Sequence, residues 1–114
     1  MEGVIDRELK RGTLEMILLK LLAGREMYGY ELVSALEARG GPGFRLKEGT
    51  LYPVLYRLED ARLIEARWET PERGVPRKYY RLTGEGTKQL QTLIGEWQAF
   101  VTAVNQIMET EEST

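Results

Sequence analysis

Apolar residues recur at helical spacing along most of the chain and at a spacing of two in one stretch only, ahead of the last helix. Leu9, Leu14, Ile17, Leu18, Leu21 and Leu22 mark one face of a helix from about Asp6 to Leu22, with Gly24 as its stop. Tyr28-Gly29-Tyr30-Glu31-Leu32 leads into a second helix reaching about Ala38, with Leu32, Val33 and Leu36 inward. Arg39-Gly40-Gly41-Pro42-Gly43 breaks it, and Phe44-Arg45-Leu46 reads as a brief apolar connection that fits a short paired strand. A third helix spans Glu48 to Leu63. Leu51, Leu55 and Leu58 share one side, Gly49, Pro53, Tyr56 and Arg57 lie opposite, and Thr50 and Tyr52 flank them. Pro53 fixes the start of this helix near Glu48, because the bond it fails to donate is then the one to the first carbonyls.

The pattern then switches period. Ile64 to Glu69 and Lys78 to Leu82 alternate as two strands, and Pro71-Glu72-Arg73-Gly74-Val75-Pro76 forms the tip between them. Thr83 fits the N-cap of a last helix, with Glu85 in its first turn. Leu90, Leu93, Ile94, Trp97, Phe100, Val101, Val104, Ile107 and Met108 make an apolar stripe sustained over about three heptads. A domain this small cannot cover that surface alone, so a second copy is expected to bury it. Glu109 to Thr114 read as a polar, frayed end. The expected organisation is mainly α with a small β-hairpin: a winged helix-turn-helix over residues 1–83 and a C-terminal dimerisation helix over 84–114.

Composition narrows the chemistry. The 114 residues contain no cysteine and no histidine, which removes disulfides, thiolate nucleophiles and the commonest metal ligand and general base. No enzyme, cofactor or metal is expected. No run is apolar enough to span a bilayer, and the charged start is unlike a secretory signal, so a cytoplasmic protein without a membrane partner is expected. The net charge of −2 argues weakly against nucleic acid, but the charge is segregated. Arg39 to Arg81 hold ten basic residues against six acidic, and Leu82 to the end one against five. Binding to phosphate depends on the field at the contacting face.

The outward face of the third helix is low in profile and polar, as entry into a major groove requires. Thr50, Tyr52 and Arg57 are its candidate contacts, and an ordinary amphipathic surface helix is the plain alternative. Tyr56 fits either a phosphate contact or a cover on the hairpin. Arg73, Arg77 and Lys78 surround the wing, where they would reach phosphate or minor groove, or simply guard a sheet edge. Tyr28 and Tyr30 begin the second helix, whose N-terminus can meet phosphate, although one of the two is expected in the core. Trp68 is expected to pack on the domain. Glu59-Asp60 reads as a source of local ion pairs with Arg57 or Arg62 and not as a catalytic dyad.

Four segments in register resemble the PadR family of bacterial transcriptional regulators over nearly the whole chain. They are Gly12-Thr13-Leu14-Glu15, Tyr28-Gly29-Tyr30-Glu31-Leu32, Gly49-Thr50-Leu51-Tyr52-Pro53-Val54-Leu55-Tyr56-Arg57-Leu58-Glu59 and Arg77-Lys78-Tyr79-Tyr80-Arg81-Leu82-Thr83. The single C-terminal helix is similar to the short branch of the family, which includes multidrug-responsive repressors. The resemblance implies a homodimer that binds an operator in double-stranded DNA and represses a transporter or detoxification gene. It places Leu93, Ile94, Trp97, Phe100, Val101, Val104 and Met108 at the dimer interface. It also implies that Trp97 stacks on a small aromatic inducer there. A winged-helix module that binds protein without reading DNA is the alternative.

Overall fold

The computed structural model describes residues 12–109. The first helix among the described residues, α1 (Leu14–Gly24), buries Leu14, Leu18, Leu19, Leu21 and Leu22. It runs to Gly24 itself before Arg25 turns the chain extended. The expected start near Asp6, and Leu9 with it, lies outside the described residues, as does the end of the chain past Glu109. A two-residue strand, β1 (Met27–Tyr28), precedes α2 (Gly29–Gly40). Glu31 at the third position of α2 accepts a hydrogen bond from the Tyr28 N–H at 3.1 Å, which fixes the entry into the helix. Leu32 and Leu36 are buried, and Val33 packs against the same core.

Phe44-Arg45-Leu46 does not form a strand. Gly41 leaves α2 with φ of 84°, and Pro42–Phe44 closes into a single 3-10 turn, after which Leu46 plugs the core. The strand position is taken instead by Met27 and Tyr28, which pair with Tyr80 and Tyr79. Helix α3 (Glu48–Asp60) buries Leu51, Val54, Leu55 and Leu58. The Lys47 carbonyl accepts from both Thr50 and Leu51 at 3.0 Å, so Pro53 sits where a missing donor costs little. The helix ends at Asp60 and not at Leu63, because Arg62 adopts φ of 62° and the Leu63 N–H returns to the Leu58 carbonyl.

Strands β2 (Ile64–Glu69) and β3 (Arg77–Leu82) pair antiparallel from Ile64↔Leu82 to Glu69↔Arg77, giving a three-stranded sheet in the order β1-β3-β2. Ile64 and Tyr80 seal its inner face. Helix α4 (Gly84–Glu109) starts where the Thr83 hydroxyl accepts from the Gly86 N–H at 3.0 Å and lies 3.0 Å from the Leu63 carbonyl. Gly86 lies so close to that carbonyl that any side chain would collide with it. Leu90 is buried in the common core and Leu93 and Ile94 pack against it, so the first turns of α4 are seated on the winged domain. Beyond them the helix runs into solvent, and Phe100, Ile107 and Met108 are 62, 67 and 72 % exposed. The molecule is correspondingly long, 69 × 34 × 20 Å.

Candidate nucleic-acid interface

Burial of Leu51, Leu55 and Leu58 turns Gly49, Pro53, Tyr56 and Arg57 of α3 outward, and all four are exposed. Thr50 is half-buried at the edge of a cleft between the start of α1 and α3, lined also by Gly12, Glu15, Gly49 and Arg57. Across that cleft the Arg57 guanidinium meets the Glu15 carboxylate at 3.2 Å. Tyr52 is placed differently from its neighbours. Its ring lies over the backbone of Gly29, where a Cβ would collide with the phenol oxygen, and burial, with the nearby Glu48 carboxylate, raises the phenol pKa. Tyr52 thus clamps the start of α2 to α3, and its ring centroid stands 6.1 Å from that of Tyr56.

The wing is tied to α3 by Lys78. Its ammonium meets Glu59 at 3.1 Å and lies over the Tyr56 and Tyr80 rings at 5.6 and 5.3 Å. Burial is the largest single influence on Lys78 and works against its charge, but the hydrogen bond to Glu59, the charges of Tyr80 and Glu59 and the hydrogen bond to Tyr80 together outweigh it, and its pKa stands above the ordinary lysine value. The expected local pairing of Glu59 with Arg57 or Arg62 is therefore corrected: Glu59 reaches across to Lys78, and Arg57 reaches back to Glu15. Tyr56 lies beside the base of the hairpin and remains 52 % exposed.

Arg77 stacks its guanidinium 4.8 Å above the Tyr28 ring, which contacts Tyr79 edge-on and Tyr30 in a stack. Tyr28 is half-buried and Tyr30 exposed, so neither is a core residue; the buried side chain here is Met27. Arg73 sits at the exposed tip beside Gly74, whose φ of 110° makes the turn, and has no ion pair among the described residues. Trp68 departs from expectation. It follows Ile64 and Ala66 on the inner face and stands opposite Lys78, yet is 65 % exposed. The alternation of β2 marked its face correctly; how far the sheet overhangs the core is set by the tertiary packing.

Arg67 was not among the expected site residues. It lies 4.9 Å above the Tyr79 ring and donates through Nε to both oxygens of Glu26, at 3.1 and 3.2 Å, so that β2 is stapled over β3 to the residue before β1. These hydrogen bonds lower the Glu26 pKa against a burial effect that would raise it, and the charges of Arg67 and Arg81 add to the lowering. Exposed side chains of α3, the start of α2 and the wing make up this surface: Lys78–Glu59 joins the wing to α3 on one face of the sheet, Arg67–Glu26 joins it to the residue before β1 on the other, and Tyr52 over Gly29 joins α3 to α2. Such a surface can exchange carboxylate partners for phosphates. Among the described residues no group of three or more acidic side chains is placed to hold a metal, and no helix is long and apolar enough to cross a membrane.

On the other end of the molecule, Trp97 is 42 % exposed and its ring pairs with Phe100 at 6.3 Å between centroids. Val101 and Val104 are half-buried along the same side of α4.

Three helices followed by a β-ribbon that packs beside the third of them define a winged helix-turn-helix protein. Residues 18–92 match the model of the transcriptional regulator PadR-like family. The chain is 33 % identical over 84 residues to the transcriptional regulator Rv3488 of Mycobacterium tuberculosis, covering 74 % of this chain and 75 % of that protein. Among solved structures it resembles a PadR family transcriptional regulator from Eggerthella lenta, with TM-score 0.80, 38 % identity, and 91 and 88 % of the two chains covered. It also resembles a PadR-like regulator from Bacillus cereus, with TM-score 0.77, 34 % identity and coverage of 91 and 99 %. The chain belongs to the PadR-like family of DNA-binding transcriptional regulators, and it is a regulator, not an enzyme.

Proposed function

We propose that the protein is a homodimeric, ligand-responsive repressor that reads an operator with α3 and grips the flanking backbone with its wing. The observation that carries this reading is the joining of the exposed α3 face to the wing through Lys78, Glu59 and Tyr56, at the opposite end from a bare apolar helix. Thr50 and Arg57 would face bases and phosphates in the major groove, and Arg73 and Arg77 the backbone or minor groove. Tyr30 and Tyr56 fit phosphate contacts at the rim. Tyr28 and Tyr52 fit the task of holding Arg77 and α3 in place. Trp68, exposed on the wing face that carries Lys78, would lie against the sugar edge or between base steps.

Two copies joined through Phe100, Val101, Val104, Ile107 and Met108 would set two α3 helices in successive major grooves, about one helical turn apart. A small aromatic inducer at Trp97 would then favour a different spacing, and a coupling of about 1 to 3 kcal/mol would suffice for useful control. The resemblance to multidrug-responsive members favours a transporter or detoxification gene as the target.

Binding of the purified protein to its own upstream DNA and to scrambled DNA, across a salt series, tests the reading. The expected result is a preference of about a thousandfold or more that weakens as salt rises. Equal, weak binding to both would overturn it and favour a module that uses the same face for protein.

A further inference from the structure

Every tyrosine of this chain rests against another ring or a cation: Tyr28, Tyr30 and Tyr79 cluster around β1, Tyr52 and Tyr56 pair on α3, and Lys78 lies over Tyr80. Trp68 does neither. Its indole is 65 % exposed and forms no ring pair and no cation–π contact among the described residues. Ile64, Ala66 and Trp68 share one face of β2 and are buried, half-buried and exposed in that order, so the strand delivers the indole to solvent where the core ends. The strand is held on both sides at this point. Arg67, one residue back, turns to the other face and donates to both oxygens of Glu26, while Lys78, directly across the ladder from Trp68, meets Glu59 of α3 at 3.1 Å. Glu69, the next residue, shares the face of Arg67 and pairs with it at 3.3 Å, which turns that carboxylate away from the indole. Lys78 also lies over Tyr56 on the outward side of α3, so Trp68 belongs to the same surface as the candidate reading residues.

We infer that Trp68 is a wedge: in the operator complex its indole enters a base step beside the stretch faced by α3, parts the stack and kinks the duplex, so that operators are selected for how easily that step opens. The inference rests on the operator reading and commits Trp68 to one of the two placements that reading allows. Duplex DNA is the occupant that fits, because the same hairpin carries Arg73, Arg77 and Lys78 and continues into α3. An indole offers one N–H donor and a broad flat ring. It therefore carries little base-edge information, but it replaces part of the stacking that an opened step loses. A ring laid along the sugar edge needs no firm anchorage, whereas one that parts two bases must be held against the push of the stack. Ladder pairing with β3 and the bridges on either side supply that hold. Selection then falls on a step that the protein does not hydrogen-bond, and the pyrimidine–purine steps TA and CA, which unstack most readily, are favoured there.

A nick in one strand eases the opening of a step without changing any base, so it separates deformability from direct contact. The probes are duplexes covering the stretch of the protein's own upstream DNA that it protects from cleavage, each with a nick at a different step, titrated with the full chain, Trp68→Ala and Trp68→Phe. The expected result is one step in each half of the site where a nick strengthens binding of the native chain about fivefold or more. Trp68→Ala should give a flat scan while still preferring intact upstream DNA to scrambled DNA, and Trp68→Phe, which keeps a flat ring, should restore the strengthened step. At that step 2-aminopurine in an intact duplex should brighten on binding of the native chain and stay dark with Trp68→Ala. A flat scan for the native chain, the same strengthened step in Trp68→Ala, or a 2-aminopurine signal that does not depend on Trp68 overturns the wedge while leaving the operator reading in place. Equal binding to upstream and scrambled DNA overturns both.

Discussion

Arg57 faces the place where a duplex would lie, yet in the free protein its guanidinium is held by Glu15 at 3.2 Å. Arg57 is exposed and Glu15 is half-buried at the cleft edge, still open to solvent, so the pair is worth about 1 kcal/mol or less and is easily exchanged for a phosphate. Arg57→Ala is expected to lower operator affinity by about 1 to 3 kcal/mol, and Glu15→Gln to raise it by up to about threefold, both read by titration with labelled operator. An unchanged affinity in Arg57→Ala would remove that side chain from the contact. Trp68 gives a second test. In a Trp97→Phe background it is the sole indole, and its emission should shift and quench on addition of operator, with no response to scrambled DNA at the same salt. Constancy of the signal would leave the wing face bare of DNA. Much of this surface was legible in the sequence, since the period of α3 alone set Gly49, Pro53, Tyr56 and Arg57 outward. The partners were not. Glu15, Glu59 and Gly29 meet Arg57, Lys78 and Tyr52 across gaps of 42, 19 and 23 positions, and such encounters come from packing and not from any local pattern.

At the scale of elements, the sheet is where local reading fell short. Hairpin spacing gave β2 and β3 to within a residue, because alternation and a Pro-Gly tip are strong short-range signals. Two residues, Met27 and Tyr28, are too few to show a period, and their strand exists only because β3 offers a free edge beside α2. The same edge explains why Phe44-Arg45-Leu46 is not a strand. The Glu26–Arg67 bridge locks the three strands, and its pH dependence follows from the lowered Glu26 pKa. A carboxyl whose pKa falls on folding stabilises the fold fully above its ordinary value of 4.5 and loses that contribution as pH drops through the lowered value. Thermal midpoints of the native chain and Glu26→Gln should therefore differ at pH 7 and converge in stronger acid. A constant gap down to pH 2 would show that the bridge contributes through shape and not through charge.

For the molecule as a whole, the seat of α4 on the winged domain was half visible: the stripe was clear, but its division into a part that covers its own core and a part that covers nothing was not. Leu90, Leu93 and Ile94 belong to the first part, and Phe100, Ile107 and Met108 to the second. Phe100→Glu is expected to convert the proposed dimer to a monomer in sedimentation at micromolar concentration, and to weaken operator binding without altering the circular dichroism of the helices. A variant that stays dimeric would move the interface elsewhere.

The length of α4 has a mechanical meaning. Beyond Ile94, the last residue packed on the core, fifteen residues remain to Glu109 and extend about 22 Å at 1.5 Å per residue, so a bend of only about 10° there carries the free end through about 4 Å. Two such arms clasped at their ends would act as callipers whose jaws are the reading heads. A change at the hinge too small to disturb any single contact would then be enough to lift the heads out of step with the grooves.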